Sequence, residues 1–493
     1  MMAIPIEDKQ KETKKMYIVL IIGALLMLII GQLPPFGQVT IIGMRLLGIF
    51  IGCIFTWFFG YLSLGSIMGI AFFALYVPGN TGNVAFPSAF GNYNLVMIFF
   101  CLIFCYGLQK CGVLSYVARL ILSIRFARKG PWHLALVFWI ASIACSAIVT
   151  NSLAAAVLMF GIFYEVADKL QLPKRSHFTA IVMIISATFC SLCIAMMPYS
   201  PALWVPIGMM QAVAPHITAI PIVKICLLNW LLVFVTLMIA AILLKILLAF
   251  GVIQPNFTLA KDFVIVEKEE LIMTKNVKWG LFYIAVIMVL MVGASVIPAS
   301  HPVGAFLSRV GTIGCFLVVC LMMCLTTIDG ERMMTFEDAV RNGVPWGLYF
   351  MLLAALTIAG NLGTEAAGIS ATISAFAATH LGGASVYIFA LSLLAFTLVL
   401  TNCINNAVAQ QLAIPIMTTL LLGAGINPIA IIGMATIVVE HGNILPSGSP
   451  VGALMHGNPE WLSSGQVYLY AAVGSLCALL AIAICLPLGF VLI

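Results

Sequence analysis

The chain has 493 residues, 63% of them hydrophobic and only 8% charged, with a net charge of +6. A water-soluble protein carries about 25% charged residues, so a soluble globular fold is excluded and lipid is the solvent most of this chain must face. Backbone groups inside a bilayer must be satisfied within the structure itself, which leaves helices or a closed barrel; the apolar runs here are continuous rather than alternating and predict an all-α polytopic membrane protein.

A charged leader, Glu7 to Lys15, precedes the first apolar run, 16–31. No small-residue cleavage pattern follows, and Pro34-Pro35 ends the run, so it reads as a retained first span rather than a secretory signal. Spans follow at 38–60, 61–79 and 92–112. Next comes a basic amphipathic stretch, 114–130, in which Leu114, Val117, Leu120, Ile121 and Ile124 oppose Arg119, Arg125 and Arg128; it is expected to lie along the membrane surface. Residues 133–170 are apolar but begin and end beside basic loops, so this segment must turn back within the membrane. The polar triplet Thr150-Asn151-Ser152 at its middle marks the tip of a re-entrant helical hairpin, tolerated at that depth only against protein or a watery cavity. Spans 177–211, broken near Pro198, and 222–250 close the first half. The polar stretch 252–278 (Lys261, Glu267 to Glu270, Lys275, Lys278) reads as a cytoplasmic linker.

The second half gives spans 279–297 and 302–327, an amphipathic stretch at 333–343, and a span at 345–362. Residues 386–425 form a second apolar hairpin with Thr401-Asn402-Cys403 at its middle. Span 427–455 is broken near Pro446, and 466–491 ends the chain. Lys and Arg cluster at 9–15, 119–129, 169–175, 261–278 and 332–341, while the polar stretches 32–38, 77–94, 212–221, 298–303, 363–368 and 378–385 hold none. Positive loops stay cytoplasmic. That places the N-terminus inside an inner (plasma) membrane and has the second hairpin entering from outside. These short juxtamembrane clusters do not point to nucleic acid. The 14 cysteines are scattered through apolar segments, and Cys190-Ser-Leu-Cys193 has no second pair, so neither a disulfide framework nor a metal site follows.

The halves repeat. Thr150-Asn151-Ser152-Leu153-Ala154-Ala155-Ala156-Val157 aligns with Thr401-Asn402-Cys403-Ile404-Asn405-Asn406-Ala407-Val408, and about 50 residues further on each half carries a proline-flanked break, Pro198-Tyr-Ser200-Pro201 or Pro446-Ser447-Gly-Ser449-Pro450. Oppositely inserted repeats put a binding site near the bilayer midplane. No Lys or Arg lies near either triplet, so an anion has to be held by helix ends. Asn151 and Ser152 are good N-cap residues before a strong helical run. Ser200-Pro201 and Ser449-Pro450 combine a preferred N-cap with proline at the first helical position. Four helix starts facing one point would bind carboxylate or phosphate without a basic side chain. Hydroxyl and amide oxygens of Asn151, Asn402 and Ser447 are candidate ligands for a coupling Na⁺, with Cys403 a soft substitute for a hydroxyl. Glu440, deep in the last broken span, is a candidate proton carrier; its alternatives are ion pairs with His441 or with buried Arg45 or Arg309. The seven histidines form no set with a nucleophile or metal ligands, so no enzymatic centre or cofactor is expected.

The two tip triplets and the following breaks resemble the divalent anion/sodium symporter family, which includes dicarboxylate exchangers. That family carries a Ser-Asn-Thr motif at each hairpin tip and a Thr-Pro-Pro-Asn-like break in the next helix. The asparagine matches in both tips here; the flanking hydroxyls are permuted, and Asn405 and Asn406 add amides one turn beyond Thr401 and Asn402. The resemblance implies a homodimer working by an elevator motion, with Na⁺ or H⁺ as coupling ion. Scaffold helices would be 1–130 and 279–362, and the mobile transport domain 131–251 and 363–493, joined through the linker. It implies secondary transport of a small anion, a di- or tricarboxylate, by symport or exchange. An inorganic oxyanion carrier or a cation/proton antiporter of similar architecture is the alternative. A channel has no need of paired broken helices. The substrate-binding set on this reading is Thr150, Asn151, Ser152, Ser200, Pro201, Thr401, Asn402, Cys403, Asn406, Ser449 and Pro450.

Overall fold

A computed structural model describes residues 6–255, 257, 265, 271–381 and 385–493. Lys261 and Glu267 to Glu270 of the expected linker, and 382–384 of the uncharged 378–385 stretch, lie outside the described residues. The first half runs α1 (Ile6–Gly31), α2 (Ile41–Phe58), α3 (Leu62–Tyr76), α4 (Gly82–Phe90), α5 (Tyr93–Lys110), α6 (Val113–Leu122), α7 (Pro131–Val149), α8 (Ser152–Lys169), α9 (His177–Leu192), α10 (Pro201–Val213) and α11 (Ile222–Ala249). The second runs α12 (Lys275–Val296), α13 (Pro302–Leu325), α14 (Phe336–Asp338), α15 (Trp346–Leu362), α16 (Ile369–Leu381), α17 (Val386–Cys403), α18 (Asn406–Gly423), α19 (Ile429–Val438), α20 (Pro450–His456) and α21 (Ser464–Leu492). Starts follow local chemistry: Thr40, Asn92, Ser176 and Thr274 each accept from a main-chain N–H of the helix they open, and Ser463 with Gln466 forms a capping box.

Among the described residues eleven helices are long and apolar enough to cross a membrane. Large apolar side chains such as Ile21, Leu25, Phe234, Ile242, Val289, Leu476 and Ile484 stand exposed on their outer faces, which only a lipid solvent makes favourable. The chain is a multi-pass helical membrane protein.

The structure departs from the sequence expectations in several elements. Two short helices, α4 and α16, occupy stretches without an assigned span. The amphipathic stretch 333–343 is a three-residue helix, α14, followed by a π turn at Ala339–Gly343, and a small antiparallel pair, Thr327–Ile328 with Glu331–Arg332, precedes it. Arg309 is exposed on α13, two residues before Gly311 breaks the helical backbone (φ 67°), and is not a buried counter-ion.

Contacts join distant loops at the helix ends, some of them at basic loops and others at loops without Lys or Arg. At the basic loops, Lys110 pairs with Asp338, Lys275 with Asp329, and Lys174 with Glu460, while the Arg175 N–H donates to Trp461 O (3.1 Å) and Gln466 Nε2 to Arg175 O (2.7 Å). At the others, Thr40 N–H donates to Ala367 O (3.0 Å) and Gln38 N–H to Thr372 Oγ1 (2.8 Å). Helix α21 serves as a ruler. Gln466, in its first turn, holds the loop after α8; Tyr387, at the start of α17, donates its hydroxyl to Ala483 O (2.8 Å). Those contacts are roughly 25 Å apart at 1.5 Å rise per residue. The outer ends of the two hairpins, α7–α8 and α17–α18, therefore lie well apart along this helix.

Candidate substrate and coupling-ion site

At the first tip the turn is made by Thr150 itself. It adopts left-handed backbone (φ 54°, ψ 33°) and closes α7 with its N–H on Ser146 O (2.8 Å). Asn151 then caps α8, its Oδ1 accepting from Ala154 N (2.9 Å). The Thr150 hydroxyl meets Cys105 Sγ of α5 at 2.9 Å. Behind the tip, Tyr199 donates to Ile148 O (2.9 Å) and Trp204 Nε1 to Pro198 O (2.7 Å), fixing the break between α9 and α10 against the hairpin. Pro201 occupies the first turn of α10. Ser200 stands at its N-cap but does not cap: its fully buried hydroxyl donates to Ile194 O, across the break. A cavity of about 250 Å³ opens here. Thr150, Asn151 and Pro201 form one wall, and Tyr106, Gln109 and Asn342 stand on the other. Ser152 is half-buried as the first residue of α8. The wall facing the tip has no sequence signal: Gln109 beside Lys110 reads as an ordinary interfacial residue, and Asn342 lies in a stretch read only as amphipathic.

The second tip is built differently. Thr401 to Cys403 still belong to α17, and the turn comes at Ile404-Asn405, with Asn405 Oδ1 capping α18 through Ala407 N (2.9 Å). The polar groups of the expected triplet turn instead onto the break between α19 and α20. Asn402 Oδ1 accepts from both Asn443 N and Ile444 N at 3.0 Å. Thr401 Oγ1 lies 2.7 Å from Asn406 Oδ1, and Asn406 Nδ2 donates to Glu440 O (2.9 Å) and, more weakly, to its carboxylate Oε2 (3.4 Å). Ser449 caps α20 through Gly452 N (2.9 Å) and also donates to Asn443 Oδ1 (2.8 Å). The approach is so close that a Cβ on Gly442 would sit 2.1 Å from Asn406 Oδ1 and 2.3 Å from Thr401 O, which only glycine avoids.

Glu440 thus meets the amide of Asn406. Among the described residues it pairs with neither His441 nor an arginine; Arg45 donates to Tyr76 O (3.0 Å) and lies over the Tyr76 ring. His441 is fully buried, and neither ring nitrogen has a hydrogen-bond partner among the described residues. Cys403, Ser447 and Pro450 are exposed, outside the bonded cluster. A polar residue in an irregular break can point either way, and here the inward places are taken by Asn443 and Ser449. The four helix starts accordingly form two pairs. Those of α8 and α10 border the cavity, and those of α18 and α20 are joined by Asn406 N–H on Gly448 O (2.8 Å). Ser191 of α9 links the pairs by donating to Asn443 Oδ1 (3.0 Å), and Asn229 Nδ2 by bonding both Ala195 O and Thr436 Oγ1 at 3.0 Å. Among the described residues no group of three or more His, Cys, Asp or Glu is placed to hold a metal ion, and thirteen of the fourteen cysteines are buried or partly buried.

No family model matches the chain. A curated relative does: the sodium-dependent dicarboxylate transporter SdcS of Staphylococcus saprophyticus, 23% identical over 147 residues. The chain resembles a sodium-dependent dicarboxylate transporter. The matched stretch spans 30% of this chain and 28% of that relative, and it agrees with the family resemblance carried by the tip motifs. Two solved structures share the fold. One is the YdaH transporter of Alcanivorax borkumensis (TM-score 0.53, 14% identity, covering 90% of this chain and 98% of that one). The other is MtrF of Neisseria gonorrhoeae, described within a class of antimetabolite efflux pumps (TM-score 0.53, 14% identity, covering 96% and 94%). At this identity the likeness is one of fold.

Proposed function

We propose that this protein is a secondary active transporter for a small anion, a di- or tricarboxylate, in the inner membrane, coupled to Na⁺ or H⁺ or working by exchange. The observation that carries the reading is the cavity at the first tip. It is bordered by the starts of α8 and α10, and no Lys or Arg lines it. Main-chain N–H groups and helix dipoles at such ends favour an anion, and the absence of a fixed positive side chain lets the anion leave as readily as it enters. The sodium-dependent dicarboxylate transporter among its relatives supports the substrate class and Na⁺.

We assign the coupling cation to the second tip. Glu440, the carbonyls of the 439–449 break, Thr401 and Asn406 offer hard oxygens of the kind that hold Na⁺ where helices unwind, and Glu440 can carry a proton instead. The separation of the hairpin ends along α21 supports two repeats inverted in the membrane, with the basic loops, and so the N-terminus, in the cytoplasm. On this reading residues 131–251 and 363–493 move as an elevator against a scaffold of 1–130 and 279–362, within a homodimer.

The test is uptake of labelled succinate, malate, citrate and sulfate into proteoliposomes holding the purified chain, with and without a Na⁺ gradient, a pH gradient or internal dicarboxylate. Saturable carboxylate uptake driven by one of these is expected. Uptake of sulfate alone would make the protein an oxyanion carrier, and no saturable uptake of any anion would end the proposal.

A further inference from the structure

The walls of the first-tip cavity come from different parts of the chain. Thr150, Asn151 and Pro201 belong to the hairpin and broken helix, which move together if the proposed function holds. Tyr106 and Gln109 come from the end of α5, and Asn342 from the π turn before α15, both in the part assigned to the scaffold. This second wall is braced from behind. Asp338 accepts from Tyr106 Oη (3.1 Å), from Asn342 Nδ2 (2.7 Å) and from the Lys110 ammonium. One carboxylate therefore fastens the end of α5 to the segment 338–342, and those bonds hold Lys110's charge. Hydrogen bonding from Lys110 and then from Asn342 keeps Asp338 below the usual carboxylate range, so the brace is charged at neutral pH.

In front of the brace stand two carboxamides. Gln109 is exposed to the cavity, and its side chain bonds no other described residue. Asn342 keeps its Oδ1 and its second N–H free once Nδ2 has donated to Asp338. A carboxamide supplies both donors and an acceptor without a charge. The two can bond one end of an anion, or a hydroxyl it bears, while the helix starts across the cavity hold a carboxylate.

We propose that Gln109 and Asn342 are substrate-contacting, specificity-determining residues. They are supplied by the static part of the protein and touch the anion only while the first tip lies against α5. When the tip moves away, the helix starts travel with the anion and the carboxamides stay behind. Affinity on the basic face is then set by both walls, and affinity on the opposite face by one. The inference rests on the proposed anion transport.

The test uses the full chain reconstituted with its orientation sorted, carrying whichever of succinate, citrate or sulfate the wild type transports. Gln109→Ala should raise KM on the basic face by about threefold to tenfold, the loss of roughly one net hydrogen bond, and leave KM on the other face within a factor of two. Gln109→Glu, which places a negative charge in the cavity and breaks no bond seen in the structure, should raise it further on that face alone. Asn342→Ala should follow Gln109→Ala. In a Cys403→Ser background, Gln109→Cys should react with an impermeant maleimide from the basic face and be protected by the transported anion. Equal KM shifts on both faces, no shift on either, or labelling that the anion leaves unchanged would overturn the assignment while leaving transport standing. A wild type that carries no anion would overturn the proposed function, and this inference with it.

Discussion

The two hairpin tips share a sequence pattern and differ in what they do with it. At the first, Asn151 makes one local bond to its own helix, and the neighbouring polar atoms face a cavity. At the second, Asn402 accepts two main-chain N–H groups from a break some forty residues away, and Thr401, Asn406 and Ser449 are absorbed into the same network. The first tip leaves Thr150 and Asn151 on the lining of a cavity, whereas the second uses its polar groups to hold an irregular backbone in place. A motif repeated in sequence is therefore not a function repeated in space. Under the proposed function, this asymmetry between the tips suits a carrier that binds two different species, an anion and a cation.

That contrast can be broken at the second tip first. Asn402→Ala would leave the N–H groups of buried Asn443 and half-buried Ile444 without their acceptor, at about 1–3 kcal/mol for the buried one. A marked fall in thermal stability in detergent, with loss of transport, is expected; Asn402→Asp, which keeps the acceptors, should recover most of the stability. An alanine variant as stable as the wild type would show the network to be dispensable.

Asn151→Ala should behave oppositely. Losing one N-cap costs about 1 kcal/mol, so the protein should express and melt nearly as before while uptake falls at least tenfold. Normal uptake would remove the first tip from the binding site. Glu440→Gln is nearly isosteric and can still bond Asn406, so melting should hardly change, but any response of uptake to a pH gradient should vanish. A response that persists would acquit Glu440 as proton carrier and leave Na⁺ as the ion to test. The smallest effect is expected at Lys174→Ala. Its ion pair with Glu460 is half exposed or more on both sides, and such pairs contribute roughly 0–1 kcal/mol, so a large loss of stability there would mean that the loop contact matters through the charge and not, as the geometry has it, through the main chain of Arg175.

Local chemistry explains which parts were legible in the sequence. The break at Thr150-Asn151 follows from an asparagine poised to cap a helical run. The starts of α10 and α20 follow from Ser-Pro, although Ser200 spends its hydroxyl across the break and only Ser449 caps. Thr401 and Asn402 look the same on paper, yet the chain turns at Asn405, because the partners of the Asn402 side-chain oxygen lie in the break between α19 and α20 and tertiary bonding overrides the local pattern. The helices α4 and α16, of 9 and 13 residues, are too short to announce themselves by apolar length. Gln109 and Asn342 meet only after folding, from opposite halves, and nothing near either residue marks the encounter.

The bond between Arg175 and Trp461 has a mechanical consequence. The loop leaving the first hairpin is tied through its main chain to the loop leaving α20, and the ring of Trp461 stacks on Tyr164 of α8 at 5.0 Å. This buckle makes the two loops a single handle, so neither can be pulled without dragging its counterpart. A chimera that exchanged one repeat with a distant relative would have to bring the matching clasp along with it, or the halves would slip past one another under load.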